Sequence, residues 1–319
     1  MTDMSTPKRR WCGVLFASPW IFGLAVFTFY PFCASLYYSF TDFSVLQKPV
    51  WVGLDNYREI AQDPVFWQVF RNTLYYVALA IPGGIAGALG LALLTNAVKR
   101  GQWIYSVIFY LPHLVPAVAS AILWLWIFNA EFGLLNSALR PVYDLLNSLR
   151  AGLDPQLALA MKENPAFLWG PPAWLSSTKW ALPSLVLMGF WGVGQMSFIY
   201  LAKLQDVPIE LYEAAEIDGA TTWQKVWHVT LPQISPIIFF NLVMGTIWAC
   251  QIFTEPYLMT QGGPDRATTF LPGYIWDNAF MYLRMGYACA LSWILFLLIL
   301  LLTLLAFRLA KDRVYYAGR

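Results

Sequence analysis

Asn241, Met244, Trp248, Gln251 and Glu255 are spaced three, four, three and four residues apart in a stretch that is otherwise mostly apolar. At about 100° per residue, that spacing gathers them into one narrow stripe on a helix. Met188, Trp191 and Gln195 repeat the arrangement in shorter form earlier in the chain. The chemistry such stripes offer is not covalent. An amide exchanges hydrogen bonds between water and hydroxyl groups, a carboxylate accepts them, and a tryptophan face packs on an apolar surface. Polar side chains within a membrane span normally face the bundle interior or a water-filled cavity. Both stripes are therefore candidates for lining a solute path. The plainer readings stand beside this one: interhelical hydrogen bonding for Asn241 and Gln251, and packing for Met188 and Met244.

A second cluster is polar and compact. Pro208 suits a helix start, and Ile209–Ile217 can form two turns with Glu210, Glu213 and Glu216 toward the end that the helix dipole favours for acids. Asp218-Gly219 is a turn signal, because glycine tolerates positive φ. Thr221 and Gln224 then have the spacing of a capping box. The second helix carries Trp223, Val226 and Trp227 on one face and is expected to stop near Pro232.

Other chemistries lack their residues. The chain contains no G-x-x-x-x-G-K-[ST], H-E-x-x-H or G-x-S-x-G, and no paired intramembrane carboxylates. It is therefore read as neither an ATPase nor an enzyme, with no cofactor or metal of its own. Cys12, Cys33, Cys250 and Cys289 fall singly in apolar stretches, which fits neither a disulfide framework nor a zinc site. His113, between Pro112 and Pro116, reads as a hydrogen-bonded structural residue. The net charge of +2, with no Lys/Arg-rich run, speaks against nucleic acid as a partner.

The elements that must position these residues are membrane helices. Of 319 residues, 59% are hydrophobic and only 12% charged, against about 25% charged in soluble domains. Stretches at roughly 12–40, 72–96, 103–128, 180–202, 233–254 and 286–307 contain no Asp, Glu, Lys or Arg, and about 20 apolar residues suffice to cross a bilayer. The expected fold is an all-α membrane protein with six transmembrane helices. The first stretch follows Lys8-Arg9-Arg10 but is too long for a signal h-region and lacks an A-x-A site, so it is read as a retained span. Lys8, Arg9, Arg10, Lys99, Arg100, Lys203, Lys225, Arg308, Lys311, Arg313 and Arg319 would fall inside if the N-terminus is inside. That density of basic residues favours cytoplasmic N- and C-termini. The resulting organisation is a cytoplasmic N-terminus over 1–11, a six-span domain over 12–308 and a C-terminal tail over 309–319. A polar loop over about 203–232 then faces the cytoplasm between the fourth and fifth spans.

Glu213-Ala214-Ala215, three residues, Gly219, nine residues, then Val229-Thr230-Leu231-Pro232 resembles the E-A-A–x3–G–x9–I–x–L–P signature of the integral membrane subunits of binding-protein-dependent ABC importers. Val229 stands where isoleucine is usual. The likeness extends over most of the chain and is to the sugar (maltose/glycerol-phosphate) type. It rests on Ser18-Pro19-Trp20, Tyr30-Pro31, Ser39-Phe40-Thr41-Asp42, Val52-Gly53-Leu54-Asp55-Asn56-Tyr57, Asn72-Thr73, Leu111-Pro112 to Pro116, Gly133-Leu134-Leu135-Asn136 and Thr260-Gln261-Gly262-Gly263-Pro264. One departure is the long outer segment, about 137–173, where the family usually has a short connection. Val142, Leu145, Leu146 and Leu149 have amphipathic helical spacing there, with Arg140, Asp144, Arg150, Asp154, Lys162 and Glu163 scattered around them.

The resemblance implies a type I importer permease in the bacterial plasma membrane. It implies partners as well: a cytoplasmic ABC ATPase dimer that uses ATP and Mg, a second permease subunit forming a heterodimer, and an extracytoplasmic solute-binding protein. The hairpin would then be the coupling helix region, with Glu213, Ala214, Ala215, Asp218, Gly219, Leu231 and Pro232 engaging the ATPase, and the fourth and fifth spans would help line the path. Cargo would be a carbohydrate or polyol. The absence of Arg or Lys in the spans tilts the reading toward a neutral one. An ion-coupled secondary transporter of a small polar solute is the alternative. It calls for buried ionisable groups or interrupted helices, of which the spans give almost no sign. A membrane-embedded enzyme is third.

Overall fold

A computed structural model describes residues 7–98, 100–154, 156, 159, 161, 168–311 and 314–315, with side chains from residue 15 onward. Lys99, Lys162, Glu163, Arg313 and Arg319, and the side chains of Lys8, Arg9, Arg10 and Cys12, lie outside the described residues. Four helical stretches are long and apolar enough to cross a membrane unbroken: Leu15–Ser39, Pro64–Ala97, Thr222–Cys250 and Met285–Ala310. Two further spans are bent pairs, Gln102–Leu114 with Ala117–Ile127 at 98° and Ala181–Trp191 with Gly194–Gln205 at 45°. Counting each pair once gives the six spans expected.

The chain divides into two compact units, Met1–Pro64 with Ile275–Leu297 and Val65–Tyr274 with Leu298–Arg319. In the first, helix α1 (Pro7–Leu24) runs through a π-turn at Ala25–Phe29 into α2 (Tyr30–Ser39). The wide turn sits just ahead of Pro31. A proline lacks an N–H and crowds the carbonyl four residues back, and here the chain accommodates it by bonding Tyr30 N–H to the Ala25 carbonyl, five residues back. Beyond α2, a two-residue ribbon pairs β1 (Thr41–Asp42) with β2 (Val50–Trp51) ahead of α3 (Asp55–Gln62). The buried Asn56 amide donates to the carbonyls of Ser39 and Thr41, each at 2.9 Å, and Tyr57 Oη donates to Ser39 Oγ at 2.8 Å. Arg284 pairs with Glu59 at 2.5 Å. Gly286 lies so close to Thr41 that a Cβ there would stand 2.0 Å from its carbonyl oxygen.

The second unit holds α4 (Pro64–Ala97), whose Asn72 amide donates to the carbonyls of Arg266 and Thr269. Thr73 Oγ1 accepts from Leu271 N–H at 3.0 Å. The Asn72-Thr73 pair and the Arg266–Leu271 stretch, far apart in sequence, thus pin one another. Tyr76, Phe128, Trp174, Leu182, Leu185, Met188 and Phe270 belong to its apolar core. After α5 (Gln102–Tyr110) and α6 (Ala117–Ile127), the outer segment opens as the amphipathic helix expected, but α7 (Leu134–Leu153) is longer than its repeat and begins inside the core, where Leu135 and Leu139 pack. Val142, Leu145 and Leu149 are exposed. Asn147 exchanges both of its side-chain bonds with the Trp169 backbone, which folds the segment back on itself.

Candidate functional site

Three helix interruptions converge on one cleft in the second unit. Helix α5 (Gln102–Tyr110) tightens into a 3₁₀ turn at Leu111–Leu114, and α6 (Ala117–Ile127) leaves it nearly at a right angle. Val115, which precedes Pro116, is extended at φ −75°, ψ 125°, as a residue before proline prefers. The next interruption separates α8 (Ala181–Trp191) from α9 (Gly194–Gln205) at Gly192. Gly194 is required there by space: a Cβ would lie 1.7 Å from the Phe109 carbonyl oxygen, so the two broken spans meet backbone to backbone. The last interruption follows the fifth span. Beyond α9 come α10 (Ile209–Ile217), α11 (Thr222–Lys225) and α12 (Leu231–Cys250). Helix α12 ends before Gln251, Phe253 departs from helical geometry, and α13 (Thr254–Thr260) begins ahead of Pro256. The ring of Pro256 would crowd the Ile252 carbonyl in a continuous helix.

Non-helical backbone at membrane depth is tolerated only where it is buried in protein or lines a water-filled cavity. Here it lines a cleft of about 380 Å³ with Pro112, His113 and Val115 from the first break, Trp191 and Gly192 from the second, and Ile252 and Glu255 from the third. Tyr76, Ser120, Met188 and Gly189 also line it, with Ala117 and Leu185. The arrangement offers hydroxyl, imidazole and carboxylate groups beside an indole. Such a set can hold a hydroxyl-rich solute by hydrogen bonds and apolar stacking.

Of the eight expected path residues, the cleft brings together Met188, Trp191 and Glu255. The stripe drawn from Asn241 to Glu255 assumed one continuous helix, and that assumption fails at Gln251, where the 100° rotation per residue stops. Gln251 and Trp248 are exposed, and Met244 and Gln195 are half-buried; none of them lines the cleft. Asn241 is buried beside Tyr200, and neither the Tyr200 hydroxyl nor Asn241 Nδ2 reaches hydrogen-bond geometry. The reading of the spans as almost uninterrupted is likewise overturned, since two are bent pairs. His113, read as structural, stands in the wall of the cleft against Tyr110.

The polar hairpin forms as read at its first helix and departs at its second. Helix α10 ends in a Schellman motif, with Gly219 N–H bonded to the Glu216 carbonyl and Ala220 N–H to that of Ala215. Gly219 sits at φ +79° with open space around it, so the left-handed backbone and not crowding calls for glycine. Thr221 and Gln224 close a full capping box, and Lys225 Nζ meets Glu216 Oε1 at 2.6 Å across the turn. Tyr212 Oη lies 3.0 Å from the buried Thr230 Oγ1. The second helix does not stop near Pro232. It passes through a π-turn at Val226–Thr230 and continues as α12, giving one helix over Thr222–Cys250. Pro232 is tolerated as Pro31 is, by a widened turn just ahead of it. Glu213, Ala214, Asp218 and Gly219 are exposed, whereas Ala215, Leu231 and Pro232 are half-buried. Ile217, Trp223 and Trp227 project apolar surface beside them, at 88%, 68% and 54% exposure.

Tyr76, Ser120, Gly189, Gly192 and Ile252 belong to the cleft without having been singled out from the sequence. The breaks beside Ser120, Gly189 and Gly192 were signalled by the Pro112–Pro116 pair and by Gly192 and Gly194.

Residues 68–312 match the family described as binding-protein-dependent transport system inner membrane component. The chain is 35% identical, over 99% of its length and 95% of the relative's, to the probable ABC transporter permease protein YesP of Bacillus subtilis (strain 168). It is 31% identical to the sulfoquinovosyl glycerol transport system permease protein SmoG of Agrobacterium fabrum (strain C58 / ATCC 33970), over 95% of this chain and 92% of that one. Its fold is similar, at a TM-score of 0.77 and 25% identity over 96% of both chains, to a bacterial ABC transporter involved in the import of the acidic polysaccharide alginate.

Proposed function

The chain belongs to the family of binding-protein-dependent transport system inner membrane components, and from that premise we propose that it forms one half of the passage of an ATP-driven carbohydrate importer. It is a multi-pass inner-membrane transport subunit, not an enzyme. The observation that carries the passage is the meeting of three helix interruptions on one cleft whose wall sets Tyr76, His113, Ser120 and Glu255 among apolar groups. The names of SmoG and of the alginate transporter supply the carbohydrate class. Both of those cargoes are acidic; the class is carried over here and the charge is not.

The remaining parts follow the chemistry of the chain. ATP and Mg belong to an ABC ATPase dimer, because no phosphate-cradling loop occurs in this sequence. The hairpin docks on that dimer, with the exposed Ile217, Trp223 and Trp227 supplying apolar contact and Glu213 and Asp218 the polar rim. This puts the hairpin and both termini in the cytoplasm, as the basic-residue count favours. A second permease closes the other side of the cleft in a heterodimer, and an extracytoplasmic binding protein delivers cargo to it. Proteoliposomes holding this chain with its partner permease, the ATPase and the binding protein test the proposal. ATP-dependent accumulation of a labelled oligosaccharide supports it. Accumulation by the chain alone under an ion gradient would instead establish the secondary-transporter reading.

A further inference from the structure

The wall of the cleft carries one carboxylate, Glu255, and no lysine or arginine among its described residues. Its other polar groups are neutral hydroxyls, the His113 imidazole and the Trp191 indole. Glu255 is half-buried and shares the cleft wall with the Tyr76 hydroxyl. A carboxylate presents two oxygens and accepts paired hydrogen bonds from neighbouring hydroxyls. Beside it, Trp191 offers an aromatic surface, held edge-on by Trp124 with ring centroids 6.1 Å apart. A neutral sugar satisfies both surfaces. A phosphorylated, sulfonated or uronate sugar brings a second negative charge into a partly desolvated site with no countercharge on this wall, where like charges repel far more strongly than in water.

We propose that Glu255 is a charge selector in the passage, admitting neutral or amino-bearing sugars and turning away anionic ones. The proposal rests on the cleft being the sugar path, and its test separates the two. In the assembled transporter, with native cysteines replaced, Gly189→Cys introduces a thiol in the cleft wall, where a Cβ meets only the Tyr76 hydroxyl at 3.8 Å. Its labelling rates with a cationic and an anionic methanethiosulfonate reagent measure the local field whatever the cargo is. Glu255→Gln is expected to lower the cationic-to-anionic rate ratio about tenfold, and Glu255→Asp to keep the original ratio. In proteoliposomes given matched neutral and uronate trisaccharides at concentrations saturating the binding protein, Glu255→Gln should raise relative uronate uptake by a similar factor. An unchanged labelling ratio overturns the proposal. So does a changed ratio with unchanged sugar preference. A changed ratio in a transporter that accumulates neither sugar overturns the carbohydrate reading itself, and the selection of sugars with it.

Discussion

Trp174 Nε1 donates a 2.6 Å hydrogen bond to Asn136 Oδ1, joining two residues 38 positions apart. Asn136 is 1% exposed and also donates to the Ala130 carbonyl at 2.9 Å. The long outer segment therefore leaves the core and returns to it at nearly one point.

That closure predicts that the segment between Pro141 and Leu168 can be replaced by a short Gly/Ser linker without loss of assembly. Loop closure costs only about 0.6 kcal/mol for each doubling of length, so shortening carries little penalty. The cut has to spare Leu135 and Leu139, which pack in the core. Co-purification with the ATPase and partner permease is the measurement, and loss of the complex would make the segment an integral support.

Asn136→Ala should do what the trimming does not. It leaves the buried Trp174 indole N–H without this partner, at about 1–3 kcal/mol for such a group. The expected result is a lower melting temperature of the purified complex, with uptake per folded complex nearly unchanged.

Gly219→Val should leave membrane insertion intact and uncouple transport. Its φ of +79° costs a β-branched residue roughly 1–2 kcal/mol in the left-handed region, which would reopen the Schellman turn and misdirect Trp223. Gly219→Asn should be milder, because asparagine visits that region. Glu213→Lys acts by charge at the same surface. ATPase pull-down and ATP-driven uptake check all three, and normal values for both would sink the coupling role.

At the break in the fourth span, Gly194→Ala should abolish folded complex, while Gly192→Ala should be tolerated. The first puts a methyl 1.7 Å from the Phe109 carbonyl oxygen, and the second puts one at an ordinary 3.6 Å from that of Gly189. The monodisperse yield of detergent-solubilised protein distinguishes them.

In the cleft, Trp191→Ala should reduce uptake tenfold or more with assembly preserved, if the indole stacks on cargo. Asn241→Ala, away from the cleft beside Tyr200, should change the yield of complex and spare uptake per complex. The opposite pattern would return the path to the stripe read along the fifth span.

The span count, the first helix of the hairpin, its glycine turn and its capping box were legible in the sequence because each depends on local composition or spacing. The cleft was legible only in part. Met188, Trp191 and Glu255 were found by helical periodicity, yet Glu255 reached the cleft for a different reason, a helix restarting ahead of Pro256. Asn241 and Gln251 shared its spacing and went elsewhere. Periodicity holds only while the helix does, and the close approach of Gly194 to Phe109, across more than eighty positions of sequence, is a contact that no local pattern encodes. The short motifs were legible as motifs and opaque as partners. Only the fold joins Asn72 and Thr73 to Arg266, Thr269 and Leu271, or Asn56 to Ser39 and Thr41.

The failure of Pro232 to end its helix has a mechanical consequence. A helix of 29 residues from Thr222 to Cys250 is a rod about 40 Å long, with Trp223 near one tip and Ile252 just beyond the other. A rod of that length magnifies rotation: a tilt of about 5° displaces its far end by some 3–4 Å, comparable to the near-contact spacing of packed atoms. If the hairpin docks on an ATPase as proposed, motion there would reach the cleft as leverage through hydrogen-bonded backbone, with no relay of side chains between them.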